Sequence, residues 1–219
     1  MMNILIIGGN RGIGLELCRQ YATRGARVLA TCRNAPGLLR ESGAEILDGV
    51  DVSSARGIRK LQSGLGKTPL HLLIHNAGKL TRENLDDMDF DRIENQFIVN
   101  TLGPLRVIHA LYDHLLPKSR IGIVSSRMGS LGDNTSGGMY GYRISKAAVN
   151  AAGVSLARDL EPMKIAVALL HPGLVATDMT GGRGIPPSKA ASGLIEVMDQ
   201  LTLANTGRFW HAEGYELPW

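Results

Sequence analysis

Tyr142 and Lys146 stand four residues apart in the run Tyr142-Arg143-Ile144-Ser145-Lys146. The run continues Ala147-Ala148-Val149-Asn150-Ala151-Ala152, which reads as the body of a helix. Residues four apart share one helix face, so the phenol and the ammonium point the same way. A nearby cation favours phenolate, and such a tyrosine can give or take a proton near neutral pH. Tyr140 has no lysine four residues later and is the weaker choice. The Tyr-x-x-x-Lys spacing also arises on solvated helices, so its weight rests on what accompanies it.

A second chemical signal lies near the N-terminus. The apolar run Ile4–Ile7 leads into Gly8-Gly9-Asn10-Arg11-Gly12-Ile13-Gly14, and a helical pattern begins at once with Leu15-Glu16-Leu17-Cys18. Glycines let a backbone turn sharply and come close to a pyrophosphate. The following helix start offers free N–H groups and the positive end of its dipole. Strand, turn and helix fall in the order that nucleotide binding needs. An acid at the end of the second strand would bind the ribose 2′-hydroxyl of NAD. Here that strand ends Ala30-Thr31-Cys32-Arg33, with no acid. Arg11 and Arg33 are placed to converge on a 2′-phosphate, whose shape suits guanidinium, and NADP(H) is the expected cofactor.

These groups need a frame, and the chain supplies one. Strands are predicted at 4–7, 27–31, 45–47, 71–75, 120–125 and 165–171, with a weaker one at 207–210. Helical patterns fall between them at about 12–24, 54–64, 89–115, 142–160 and 188–203. Continuous apolar strands alternating with helices predict a doubly wound α/β domain around a parallel sheet, a Rossmann fold. Ligands in that architecture bind beyond the C-terminal ends of the strands. A length of 219 residues suits one domain, 1–219. The net charge of +4 is far from the basic stripe of a nucleic-acid binder. Cys18 and Cys32 lack metal-ligand spacing, and read as buried thiols of a reducing compartment. The opening apolar run is too short for a leader or a membrane span, so a cytoplasmic protein is expected.

The spacing Gly-x-x-x-Gly-x-Gly of Gly8, Gly12 and Gly14 resembles that of the short-chain dehydrogenase/reductase family. The likeness extends along nearly the whole chain. His75-Asn76-Ala77-Gly78 looks like the family's Asn-Asn-Ala-Gly, with His75 in place of the first asparagine. Asn100 matches the family's helix asparagine, and Ser126 its catalytic serine. Ile7 stands where the family usually has threonine, so a side-chain hydrogen bond expected there is missing. The resemblance implies that Gly8, Asn10, Arg11, Gly12, Ile13 and Gly14 hold the phosphates. Asp51 and Val52 would meet the adenine, and Asn76, Ala77 and Gly78 would line the cofactor. Pro172, Gly173, Val175 and Thr177 resemble the segment that holds the nicotinamide carboxamide. In the implied reaction Tyr142 transfers the proton while Ser126 bonds the reacting oxygen. Lys146 holds the nicotinamide ribose, and Asn100 binds a water linking Lys146 to solvent. His75 and His171, at strand ends, are expected to be hydrogen-bonded structural residues.

Met128, Met139, Tyr140, Met179 and Ile185 are expected to wall the pocket, predicting a modest, mainly apolar aldehyde or ketone. No buried acid or arginine cluster advertises a charged substrate, although Arg127, Arg143 and Arg183 lie near the motifs. The glycine- and proline-rich segment 178–187 is placed to act as a small lid. The ending Gly207-Arg208-Phe209-Trp210…Leu217-Pro218-Trp219 resembles that of the C-factor and sniffer-like carbonyl reductase branch of the family, and its aromatics predict packing on the core. Helices 89–115 and 142–160 form a dimer interface in many members, and Ala147, Ala148, Ala151, Ala152 and Val154 suit one. Two rival functions stay open. One is a regulatory protein that keeps a dinucleotide site without catalysis. The other is a sugar-nucleotide epimerase, which shares Tyr-x-x-x-Lys but usually has a longer C-terminal substrate region.

Overall fold

The computed structural model describes residues 1–219. Seven strands form one sheet: β1 (Asn3–Ile7), β2 (Arg27–Thr31), β3 (Glu45–Leu47), β4 (Leu70–His75), β5 (Leu115–Val124), β6 (Ala166–His171) and β7 (Arg208–His211). Every neighbouring pair is parallel, in the order β3-β2-β1-β4-β5-β6-β7. The order reverses between β1 and β4, which opens a crevice beyond their C-terminal ends. This is the expected Rossmann-like domain, and the weak seventh strand is present.

Alternate residues of each strand feed two apolar cores, one on each face. Ile4 and Ile6 join Leu17, Cys18, Leu194 and Met198, beneath helices α1 (Gly12–Thr23) and α7 (Pro187–Gln200). Leu5 and Ile7 join Leu61, Val107 and Val149, beneath α3 (Ala55–Leu65), α5 (Gly103–Ala110) and α6 (Tyr140–Leu160). Burying such a side chain contributes about 1.5–3 kcal/mol. Cys18 and Cys32 are buried and unpaired, and burial pushes their thiols up to about 12 and about 11. No helix is long and apolar enough to cross a membrane.

Three elements differ from expectation. A short helix, α2 (Gly37–Arg40), was not foreseen. The predicted helix 89–115 is broken into α4 (Phe90–Phe97), a π-turn at Ile98–Leu102, and α5, followed by a 3₁₀ turn at Tyr112–His114. The reason is side-chain chemistry: Asn100 and Thr101 turn their polar atoms onto α6 and pull the backbone out of α-register. Pro104 then sits at the start of the next segment, where it costs no hydrogen bond. Lastly, β5 begins at Leu115 rather than 120, because Lys118, at φ 70°, bridges an irregular register against β4. The tail packs on the core as expected, with Phe209 and Trp219 stacked at 5.6 Å.

Candidate active site

The glycine turn lies at the β1 end of the crevice. Gly8 takes φ 83°, and a Cβ on it would lie 2.9 Å from the Ala77 backbone. A Cβ on Gly14 would lie 2.1 Å from the Gly8 carbonyl oxygen. These clashes state why the strand, turn and helix can nest only with glycine there. No side chain caps the start of α1, and no acid lies in its first turn, so its N–H groups face an anion-sized cradle. The cradle fits a dinucleotide pyrophosphate. The bond lost with Ile7 is replaced from elsewhere: Gly8 N–H donates to Thr31 Oγ1 at 3.1 Å. Asn76 Nδ2 donates to the Gly8 carbonyl at 2.9 Å, and the Asn76 and Ala77 N–H groups donate to Ile7 O.

Around that cradle the expected residues are spread as follows. Arg11 is ion-paired with Asp178 across the mouth, and Gly12 faces the Thr177 methyl. Arg33 is exposed at the end of β2. Asp51 accepts from Ser53 N–H at 2.9 Å and Ser53 Oγ at 2.6 Å, and these bonds lower its carboxyl despite partial burial. Val52 is buried against Gly103. Asn10 and Ile13 are half-buried in the turn, and Pro172 and Gly173 follow β6. Val175 bridges to Ile185, so the segment 174–185 is tied at its base. A 3₁₀ turn at Asp178–Thr180, boxed by Thr177 and Thr180, stiffens it further.

The proton-transfer groups gather at the C-terminal end of β5. Tyr142 and Lys146 lie on α6, both buried, with Lys146 Nζ 5.7 Å from the phenol ring centroid. Ser126 comes from the turn after β5 and lies close enough to the Tyr142 phenol to lower it; its Oγ accepts from Met128 N–H at 3.2 Å. Thus Ser126 caps a turn and faces the tyrosine at once. Lys146 Nζ donates to the Val124 carbonyl at 2.8 Å. A Cβ on Gly78 would lie 3.7 Å from that Nζ. The electrostatics differ from expectation. Burial raises the Tyr142 phenol to about 12, opposed in part by Ser126, and burial lowers the Lys146 ammonium to about 8. Desolvation therefore dominates, and Tyr142 is a protonated phenol at neutral pH.

Asn100 also fastens this frame. Its Nδ2 donates to Lys79 O at 2.8 Å and to Ser145 Oγ at 2.9 Å, and its Oδ1 accepts from Lys79 N–H at 2.7 Å. Both amide hydrogens fasten loop to helix. Sequence reading also missed Glu83, an acid that is almost wholly buried. It bonds Thr81 Oγ1 and Gln96 Nε2, and its carbonyl accepts from Met139 N–H at 2.7 Å, just before α6. Nothing local could reveal it, because Thr81-Arg82-Glu83-Asn84 reads as a solvated loop. The strand-end histidines also depart from expectation. His75 Nε2 and His171 Nδ1 are buried with no protein partner, and burial lowers both rings to about 3.

The expected pocket walls Met128, Met139, Tyr140 and Ile185 are half-buried, and Met179 is exposed in the 178–180 turn. The three arginines near the motifs are engaged by neighbouring residues. Arg127 pairs with Asp133, Arg143 donates to Ser136 Oγ at 2.8 Å, and Arg183 donates to Thr180 O at 3.2 Å.

Known proteins resemble this chain in sequence and fold. The family model described as short chain dehydrogenase matches residues 2–185. The chain is 42% identical over 226 residues to the 1-hydroxy-2-glutathionyl-2-methyl-3-butene dehydrogenase of Rhodococcus sp., with all of both chains covered. It is 43% identical over 155 residues to the C-signal protein of Myxococcus xanthus, covering 69% of this chain and 93% of that one. Among solved structures, the NADPH-bound carbonyl reductase from chicken fatty liver superposes with a TM-score of 0.91 at 26% identity, covering 100% of this chain and 99% of the other.

Proposed function

Since the chain belongs to the short-chain dehydrogenase/reductase family, we propose that it is an NADP(H)-dependent oxidoreductase of small, mainly apolar carbonyl or alcohol compounds, with Tyr142 as general acid and base. One observation carries the reading: Tyr142, Ser126 and Lys146 meet at the end of β5, beside a glycine cradle shaped for a pyrophosphate. When bound, the nicotinamide cofactor supplies or accepts the hydride. Gly8, Asn10, Arg11, Gly12, Ile13 and Gly14 would hold its phosphates, Arg11 and Arg33 its 2′-phosphate, and Asp51 and Val52 its adenine. Asn76, Ala77, Gly78, Pro172, Gly173, Val175 and Thr177 would line its nicotinamide half.

The chain's own groups then handle the proton. The buried Tyr142 phenol donates its proton to the carbonyl oxygen as charge develops there. The Ser126 hydroxyl donates to the same oxygen and lowers the cost of that charge. Lys146, held on the Val124 carbonyl, offsets the charge left on Tyr142 and would reach the nicotinamide ribose. Asn100 sets the geometry by tying α6 to the Lys79 loop. The engagement of Arg127, Arg143 and Arg183 by neighbouring residues supports an uncharged substrate.

The test is Tyr142→Phe. Turnover of carbonyl substrates should fall about 10²–10⁴-fold with NADPH binding nearly intact. Unchanged turnover would remove Tyr142 from the reaction. The substrate panel should include an alcohol carrying a glutathionyl group, since the Rhodococcus relative is named for one. Activity confined to that compound would replace the small apolar class with a thiol-conjugate class. NADPH binding with no turnover of any compound would favour a regulatory role, in line with the C-signal relative.

A further inference from the structure

The chain after β7 turns back sharply. His211 N–H donates to Tyr215 O at 2.8 Å, Trp210 bridges antiparallel to Glu216, and Leu217 N–H donates to Phe209 O at 2.7 Å. Leu217 is buried, and the Trp219 ring stacks on Phe209 with 19° between planes. This anchoring carries a main-chain oxygen of Trp219 to the loop that follows Ser126. There it accepts from Ser130 Oγ at 3.0 Å and from Gly132 N–H at 2.8 Å. Ser130 is buried, and its hydroxyl also accepts from Asp133 N–H at 3.1 Å.

We propose that Trp219 is a positioning residue: the tail is a strap that holds the 126–132 loop and so aims the Ser126 hydroxyl at the reacting oxygen. Between strap and serine lies a single 3₁₀ turn, Arg127–Gly129. Its bonds are local, with Met128 N–H on Ser126 Oγ, Gly129 N–H on Ser126 O and Ser130 N–H on Arg127 O. Segments with only local backbone bonds open at low free energy. One side of this turn is fixed by α6, since a Cβ on Gly129 would lie 2.6 Å from the Lys146 carbonyl carbon. The tail fixes the other. Loss of the Trp219 main-chain oxygen from its place would leave the Ser130 hydroxyl and the Gly132 N–H short of a partner, and the turn would rearrange to satisfy them. Small displacements of a group that must meet a developing oxyanion are costly in rate.

The inference rests on the oxidoreductase reading, and its test keeps the two apart. Trp219→Ala, Trp219→Phe, Ser130→Ala and the Trp219→Ala/Ser130→Ala double variant are compared with the unaltered protein in NADPH fluorescence titration and steady-state ketone reduction. Trp219→Ala and Ser130→Ala should each lower kcat about tenfold, with the NADPH Kd changed by less than about twofold. The double variant should cost little more than either alone, as expected of groups in one contact. Trp219→Phe keeps a stacking ring and should restore kcat. An unchanged kcat in both single variants would overturn the strap, and so would equal losses of kcat and NADPH binding, which mark general loosening. Absence of turnover in the unaltered protein would instead end the oxidoreductase reading.

Discussion

Burial acts in opposite directions on the two ends of the Tyr142–Lys146 pair. It holds the proton on the phenol, which is raised to about 12, and eases it off the ammonium, lowered to about 8. A proton donor is therefore ready throughout the neutral range, while a proton acceptor is scarce there. Carbonyl reduction should be nearly flat between pH 6 and 8. Alcohol oxidation needs the phenolate, so its rate should climb up to about tenfold per pH unit over the same span. Above about pH 8 the climb should flatten, because Lys146 loses the charge that favours phenolate. Initial rates in both directions across pH 6–9 check this, and an oxidation rate indifferent to pH would contradict it. The spacing of Tyr142 and Lys146 was legible in the sequence; their charge states were not. Spacing shows which groups meet, but not that both are nearly out of water, and here desolvation dominates.

Elements, not single residues, supply the bond that the Gly8 turn lacks at Ile7. Thr31 ends β2, and the parallel register sets Ile7 beside it, so its hydroxyl reaches the Gly8 N–H. The hydroxyl is buried, and Gly9 N–H donates to the carbonyl of the same residue at 2.9 Å. Thr31→Val keeps the shape and strands the Gly8 donor. It should weaken NADPH about tenfold, while Thr31→Ser should bind nearly as the unaltered protein does. Titration of both variants decides the matter, and equal binding by Thr31→Val would deny Thr31 a part in shaping the turn. A strand-end threonine is unremarkable in sequence; only the register gives it a partner. The break at Ile98–Leu102 was hidden for a similar reason. Apolar periodicity through 89–115 is compatible with one helix, and the polar ties from Asn100 and Thr101 to α6 are contacts between distant segments. Boundaries set by local chemistry were legible: the Gly12 start of α1 and the strand ends at Ile7, Thr31, Leu47, His75 and His171 all fall as read.

At the scale of the whole molecule, a two-sided sheet gives strand ends on one face little access to water. His75 and His171 both end central strands on the face shared by Leu73 and Leu169. Burial is the main cost of charging either ring; Lys146 adds to it at His75, and His211, Arg127 and then Lys146 add to it at His171. Unfolded, each ring titrates near 6.5; folded, near 3. Above pH 6.5 the ring is neutral in both states, and its contribution to stability does not change with pH. Below that, the unfolded chain binds a proton that the folded one refuses, so stability falls as pH drops from 6.5 towards 3. Each ring costs up to about 1.4 kcal/mol per pH unit in that window. Asp51 and Glu45, whose carboxyls are lowered, lose their contributions only further down. Urea unfolding at pH 7 and pH 5 therefore reports on the lowered histidines, to which His211 adds a smaller part, and stability should be at least about 2–4 kcal/mol lower at pH 5. His75→Asn removes one titrating ring and should reduce that difference by up to about 2 kcal/mol. Equal stability at the two pH values would mean that water or a shift of α5 reaches these rings, and that the crevice floor is less dry than the packing of β4 and β6 makes it.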